Sequence, residues 1–85
     1  MKLSHLTGNI NVITQRCPEL IALCESNGKS ITYGELQSSV NRIANNFRLH
    51  GIGEGHIVAF LQEKSIVNVI GMLGALTAGA TVAPF

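Results

Sequence analysis

Three glycines at alternate positions, Gly51, Gly53 and Gly55, most invite a chemical reading in this chain. Glycine-rich loops cradle phosphates when they follow a strand and open a helix, so that backbone N–H groups and the helix N-terminus face the anion. Here the order is reversed: a helical pattern precedes the glycines and a strand pattern follows them. Only a helix C-terminus lies beside them, and its partial negative charge repels phosphate. They read as turn residues. Nucleophiles fare no better. Ser4, Ser26, Ser30, Ser38, Ser39 and Ser65 all lack the strained Gly-x-Ser-x-Gly elbow that exposes a catalytic serine. The acids are Glu19, Glu25, Glu35, Glu54 and Glu63, without an aspartate and without a recognisable pair. Cys17 and Cys24 match neither a redox pair nor a zinc half-site, and His5, His50 and His56 complete no metal set at any regular spacing. They read as two semi-buried thiols and three surface or packing histidines. On this pattern no catalytic, cofactor-binding or metal-ligating residue is assigned.

The elements around these residues are clearer than the residues themselves. Asn9 or Asn11 is placed to cap a short helix over 10–16, in which Ile10, Ile13 and Cys17 recur at helical spacing. Pro18 ends it, because the residue before a proline is pushed out of the helical region. A hairpin is expected over 20–32. Its first strand, a continuous apolar run from Leu20 to Cys24, reads as buried, and Asn27-Gly28 makes a tight turn. Thr32 and Glu35 then have the spacing of a capping box. Leu36, Val40, Ile43, Ala44 and Phe47 form one apolar stripe, with Gln37, Asn41, Arg42 and Arg48 opposite. Gly51 stands where a left-handed stop is needed, with Ile52 placed to fold back on Phe47. This predicts a helix over 33–50.

The next segments are a strand over 57–61, a helix over 65–79 and a strand over 81–84. The second long helix is apolar all the way round, which marks a helix of a protein interior or a membrane. Gly71, Gly74 and Gly79 lower its intrinsic propensity, so tertiary contacts must hold it. Strand, helix and strand with helix-length connections predict a parallel βαβ unit with a right-handed crossover. The fold class is α/β, an incomplete sheet with a buried crossover helix, in one partial subdomain over 1–85.

The bulk composition bounds the partners. Apolar residues make up 46% and charged residues 13% of the 85, against roughly 25% charged in ordinary soluble domains. So small a domain with so little charge is expected to leave apolar surface bare for a partner. The net charge is +1, with Lys2, Arg16, Lys29, Arg42, Arg48 and Lys64 scattered singly. No basic stripe and no interleaved aromatics exist for nucleic acid. The first eight residues lack the apolar run of a signal peptide, so a reducing, cytoplasmic setting is expected. A membrane span over 65–85 is the rival, since that stretch is uncharged for 21 residues. Against it stand its glycines, Pro84, the polar Asn68, Thr77 and Thr81, and Glu63 and Lys64 on one side only.

Two segments together resemble the adenylate-forming superfamily of acyl-CoA ligases, aryl-acid ligases, luciferases and nonribosomal peptide synthetase adenylation domains. Ser30-Ile31-Thr32-Tyr33-Gly34-Glu35-Leu36 is similar to the family's early Leu-Thr-Tyr-x-Glu-Leu segment. Leu76-Thr77-Ala78-Gly79-Ala80-Thr81-Val82-Ala83-Pro84 is similar to its Leu-Lys-Ala-Gly-Ala-x-x-x-Pro segment. Between them, Asn41-Arg42-Ile43-Ala44 and the run from Gly51 to Ala59 follow its helix and turn, and Cys17-Pro18-Glu19 fits its beginning. The order and spacing together are specific. Departures occur at Thr77, where a lysine is common, at Glu54 and His56, where Pro and Asp are frequent, and at Val82-Ala83, which replace the Tyr-Val of peptide-synthetase domains. The resemblance implies an N-terminal fragment of a large domain that, intact, activates a carboxylate with ATP and magnesium and passes the acyl group to a thiol. The Ser/Thr/Gly-rich loop ending in Pro-Lys-Gly, the later nucleotide motifs and the lysine of the C-terminal domain are not among these 85 residues. No family catalytic residue carries over to any position, and no cofactor is expected on this fragment. The implied partner is the remainder of an adenylation domain or a complementary chain.

Overall fold

The helix predicted over 10–16 is twice that length. In the computed structural model, which describes residues 3–60 and 65–84, it forms α1, Leu3–Arg16. Asn9 and Asn11 therefore lie inside the helix and not at its start. The spacing of Leu3, Leu6, Ile10 and Ile13 continues the apolar stripe about two turns upstream. The chain leaves α1 through Cys17, whose N–H still reaches Ile13 O at 2.7 Å, and turns at Pro18.

The hairpin follows as β1, Ile21–Cys24, and β2, Ser30–Thr32, paired antiparallel with an irregularity between Ile21 and Leu23. Two expectations need correction here. The turn is not a two-residue Asn-Gly turn. Gly28 N–H donates to Glu25 O at 3.0 Å and Glu25 N–H to Lys29 O at 2.7 Å, which leaves three residues in the loop. Gly28 alone takes positive φ, 94°, while Asn27 uses its side chain to accept from Lys29 N–H at 2.9 Å. This is the turn-plus-bulge form of hairpin. Nor is β1 buried throughout: Leu23 packs on the core, but Leu20 and Ile21 are about half exposed, with no third strand or helix covering them among the described residues.

Helix α2, Tyr33–Leu49, meets the expectation at both ends. Thr32 Oγ1 accepts from Glu35 N–H at 3.2 Å, and Glu35 Oε1 accepts from Thr32 N–H at 3.0 Å. The two remaining first-turn donors are also used: Tyr33 N–H reaches Leu20 O and Gly34 N–H reaches Pro18 O, both at 2.9 Å. At the far end Gly51, at φ 76°, donates to Arg48 O, and Ile52 donates to Phe47 O at 2.9 Å. These are the two bonds of the Schellman stop.

The parallel unit consists of β3, Ile57–Phe60, helix α3, Ile66–Thr77, and β4, Thr81–Pro84. β3 and β4 pair parallel and in register, Ile57 with Thr81 through Phe60 with Pro84. Leu61, placed at the end of the first strand by sequence, lies outside the described residues, as do Glu63, Lys64 and Phe85. The helix is shorter than 65–79 at both ends: Ser65 is its N-cap, accepting from Asn68 N–H at 3.1 Å, and Gly79 at φ 99° lies beyond its stop. A second Schellman pair closes it, Gly79 N–H to Leu76 O and Ala80 N–H to Ala75 O, both at 3.0 Å. The chain is thus α/β with two separate two-stranded sheets.

The core lies where α2 packs on α3, with Leu36, Val40, Ala44, Leu73, Ala75 and Ala80 buried and Ile10, Leu23, Ile31 and Ile70 against it. The crossover helix is buried on one side only; Val67 is 79% exposed and Ile57 of β3 is 73% exposed. Parallel sheets normally have both faces covered, and here one face of this unit stays bare. The span considered over 65–85 is a 12-residue helix followed by a strand. Among the described residues no helix is long and apolar enough to cross a membrane.

Candidate functional site

The glycine turn sits between the α2 stop and β3. Gly51 and Gly55 have positive φ, and a Cβ on Gly53 would come within 3.1 Å of Ala78 O. The turn is closed on itself by His56, whose N–H donates to Gly53 O at 3.1 Å and whose ring Nδ1 accepts from Gly53 N–H at 3.3 Å. A phosphate placed here would meet carbonyl ends and an N–H already used. The geometry suits a turn packed on the end of α3.

The remaining candidates fall apart in space or serve local structure. His50 lies at the end of α2, where its Nδ1 is 2.8 Å from Asn46 O. Cys17 is half-buried and Cys24 exposed, both free thiols. Among the described residues no three of His, Cys, Asp and Glu are grouped to hold a metal ion. The side chain of His5 lies outside the described residues. Ser65 caps α3. Glu35 is held below the ordinary glutamate range, first by the Thr32 backbone N–H and then by the Thr32 hydroxyl, against a small opposing effect of burial. That shift belongs to a helix cap.

A hollow of about 310 Å³ opens where α1, α2 and α3 meet. Leu73 and Leu76 line it beside Asn11, Gln37, Asn41 and Thr77. Gln37 Nε2 donates to Asn41 Oδ1 at 3.0 Å, and Thr77 Oγ1 is turned back onto Leu73 O at 2.8 Å. None of the described residues that line it is titratable, so these offer no general acid or base.

Two contacts were invisible to sequence reasoning. Glu25, in the hairpin turn, accepts from Ile66 N–H at 2.8 Å, 41 positions along the chain. Gly74 makes a tight contact between α3 and α2: a Cβ there would lie 2.5 Å from Ile43 Cγ2. Neither has a local signal, since each depends on which helix end or face arrives opposite.

The two segments singled out by resemblance therefore close helices, one at the start of α2 and one at the end of α3. Their arrangement matches a known family over residues 11–85, that of the AMP-binding enzymes. The chain belongs to this family. Surfactin synthase subunit 3 of Bacillus subtilis (strain 168) is 43% identical over 67 residues, which are 79% of this chain and 5% of that protein. The 3-hydroxybenzoate–CoA ligase of Aromatoleum sp. (strain CIB) is 48% identical over 52 residues, 61% of this chain and 10% of that enzyme. Among solved structures, the N-terminal subdomain of Klebsiella oxytoca NpsA superposes with a TM-score of 0.81 at 32% identity, over 89% of this chain and 20% of that one. The chain thus spans a tenth or less of these two curated relatives. Its hairpin, capped α2 and crossover unit match an N-terminal portion of the adenylation-enzyme fold.

Proposed function

We propose that this chain is the N-terminal structural lead-in of an acid-activating ligase and has no adenylating activity by itself. In the whole reaction a carboxylate oxygen attacks the α-phosphorus of ATP and releases pyrophosphate. A thiol sulfur then attacks the acyl carbon of the adenylate and releases AMP. Charge developing on the phosphoryl and acyl oxygens needs preorganised donors or magnesium. The observation that supports assigning those to other residues is the use made of both family segments. Thr32 and Glu35 satisfy the first turn of α2, and Gly79 and Ala80 satisfy the last turn of α3. ATP–pyrophosphate exchange, measured on the 85-residue chain over a panel of amino, aryl and fatty acids, is expected to show no turnover. Exchange above background with any acid overturns this reading.

The partner that fits is the remainder of an adenylation domain, in the same chain or supplied separately, in a cytoplasmic setting. The bare Ile57 and Val67 on the parallel unit support it. On its own the chain is then expected to self-associate with rising concentration in sedimentation. A clean monomer that unfolds cooperatively and gains no order from added downstream fragment speaks against this partner, and fractionation away from cytosol speaks against the location.

A further inference from the structure

Helix α3 contains no charged side chain from Ile66 to Thr77, neither an acid in its first turn nor a base in its last. Its ends nevertheless meet both charges. At the N-terminus the half-buried Glu25 carboxylate accepts from the Ile66 N–H at 2.8 Å. At the C-terminus the Arg48 guanidinium donates from Nη2 to Thr77 O at 2.9 Å, steadied through Nη1 by Asn45 Oδ1 at 3.2 Å. Together with Ser65 at Asn68 N–H and the Schellman pair at Ala75 O and Leu76 O, these bonds use most of the groups a helix end leaves without a partner.

We propose that Glu25 and Arg48 form a charge clamp that sets the axial position of the uncharged crossover helix. Each carries the sign that the adjacent helix end attracts. Each also comes from a different element, the hairpin turn and the end of α2, so the clamp ties both to the crossover. Apolar packing fixes which face of α3 is buried, and the fit of Gly74 against Ile43 resists sliding at the middle of the seam. The charged bonds at Ile66 and Thr77 hold its two ends, which that contact does not reach. Glu25 and Arg48 are thus positioning residues, and the strand position of β4 depends on them.

Amide exchange followed by NMR on the full 85-residue chain tests the clamp. In Glu25→Ala the Ile66 amide is expected to exchange about tenfold faster, as for loss of a hydrogen bond to a charged group. Glu25→Gln keeps an acceptor oxygen without the charge and should speed it only roughly two- to fivefold. Arg48→Ala should leave Ile66 unchanged and speed exchange at Gly79 and Ala80. A negative charge restored inside the helix, Val67→Glu in the Glu25→Ala background, should return part of the lost protection, since Val67 is 79% exposed and tolerates the change. The gap between parent and Glu25→Gln should narrow as salt is raised to about 1 M, where the Debye length is only about 3 Å. Unchanged Ile66 exchange in Glu25→Ala, or absence of both the Val67→Glu rescue and the salt dependence, overturns the clamp. If Glu25→Ala does not fold, the Glu25→Gln and salt comparisons decide it in the same way.

Discussion

Replacing Gly74 by alanine should destabilise the chain although alanine is the better helix former. The added Cβ would stand 2.5 Å from Ile43 Cγ2, 2.9 Å from Ile43 Cβ and 3.4 Å from the Ala44 backbone nitrogen. A rotamer change at Ile43 cannot relieve this, because its own Cβ is one of the atoms approached and is fixed by the backbone. The α2 and α3 axes must separate, and with them the seam that buries Leu36, Val40, Ala44, Leu73 and Ala75. Overpacking of this kind costs typically 1–3 kcal/mol, and a contact to immovable atoms belongs near the upper end, about 3 kcal/mol. The gain in helix propensity from glycine to alanine offsets about 1 kcal/mol. The net loss is therefore about 2 kcal/mol, or roughly 8–16 °C in Tm at 4–8 °C per kcal/mol for a chain of this size. Urea and thermal unfolding of Gly74→Ala beside the parent measure it. Gly71→Ala is the control. Its Cβ would meet the edge of the Phe60 ring at 3.0 Å, an atom that can swing away, so its change should stay within about 1 kcal/mol of zero once the propensity gain is counted. A Gly74→Ala chain as stable as the parent would refute the reading that α3 needs glycine where it meets Ile43.

Three further outcomes follow from the helix ends. Thr32→Ala removes the oxygen that accepts from Glu35 N–H and should cost about 1 kcal/mol in unfolding free energy. Glu35 has its folded value depressed by the Thr32 backbone and hydroxyl. Its contribution is therefore present above the unfolded glutamate value, roughly 4.3, and is lost as pH falls through the folded value. Stability measured from neutral pH downward should drop more for the parent than for Glu35→Gln across that acidic window. Gly79→Ala forces a side chain to φ 99° and should cost about 1–3 kcal/mol. The new Cβ would sit at ordinary contact distance, 3.4 Å, from Glu54 Cγ, so the loss read by thermal unfolding is a backbone effect and no smaller residue than glycine exists to avoid it.

Helix α2 was legible in the sequence because its start, stripe and stop are all local: Thr32 with Glu35, Leu36 through Phe47, and Gly51 with Ile52 lie within one continuous stretch. α1 starts earlier than expected because Asn9 and Asn11 offer a cap locally, which the spacing of Leu3 and Leu6 overrides. Burial was misjudged at β1 for a different reason. An apolar run reports what a strand can tolerate, while exposure depends on whether another element arrives, and none lies over Leu20 and Ile21 here. Gly74 read as a weakness in α3 when it is the condition for α3 to approach Ile43. Glu25 read as an unpaired acid because its partner is a backbone N–H 41 positions away. For the candidate site, order along the chain was enough to read Gly51, Gly53 and Gly55 as a turn, since a helix end before them and a strand after them is a local property.

The same distinction explains why these segments mark a family without naming a substrate. Thr32 and Glu35 must satisfy an N-terminal turn, and Gly79 must accept positive φ at a helix stop, whatever acid the surrounding enzyme activates. Their constraint comes from backbone hydrogen bonding, which is indifferent to the ligand. A surfactin synthase subunit and a 3-hydroxybenzoate–CoA ligase can therefore both match this stretch at similar identity although the compounds in their names differ. It follows that substitutions at Thr32, Gly74 and Gly79, placed in a complete enzyme of the family, should lower its thermal stability without reordering its preference among acids. A changed order of acid preference in ATP–pyrophosphate exchange, at matched folded fraction, would show that this layer reaches the pocket after all.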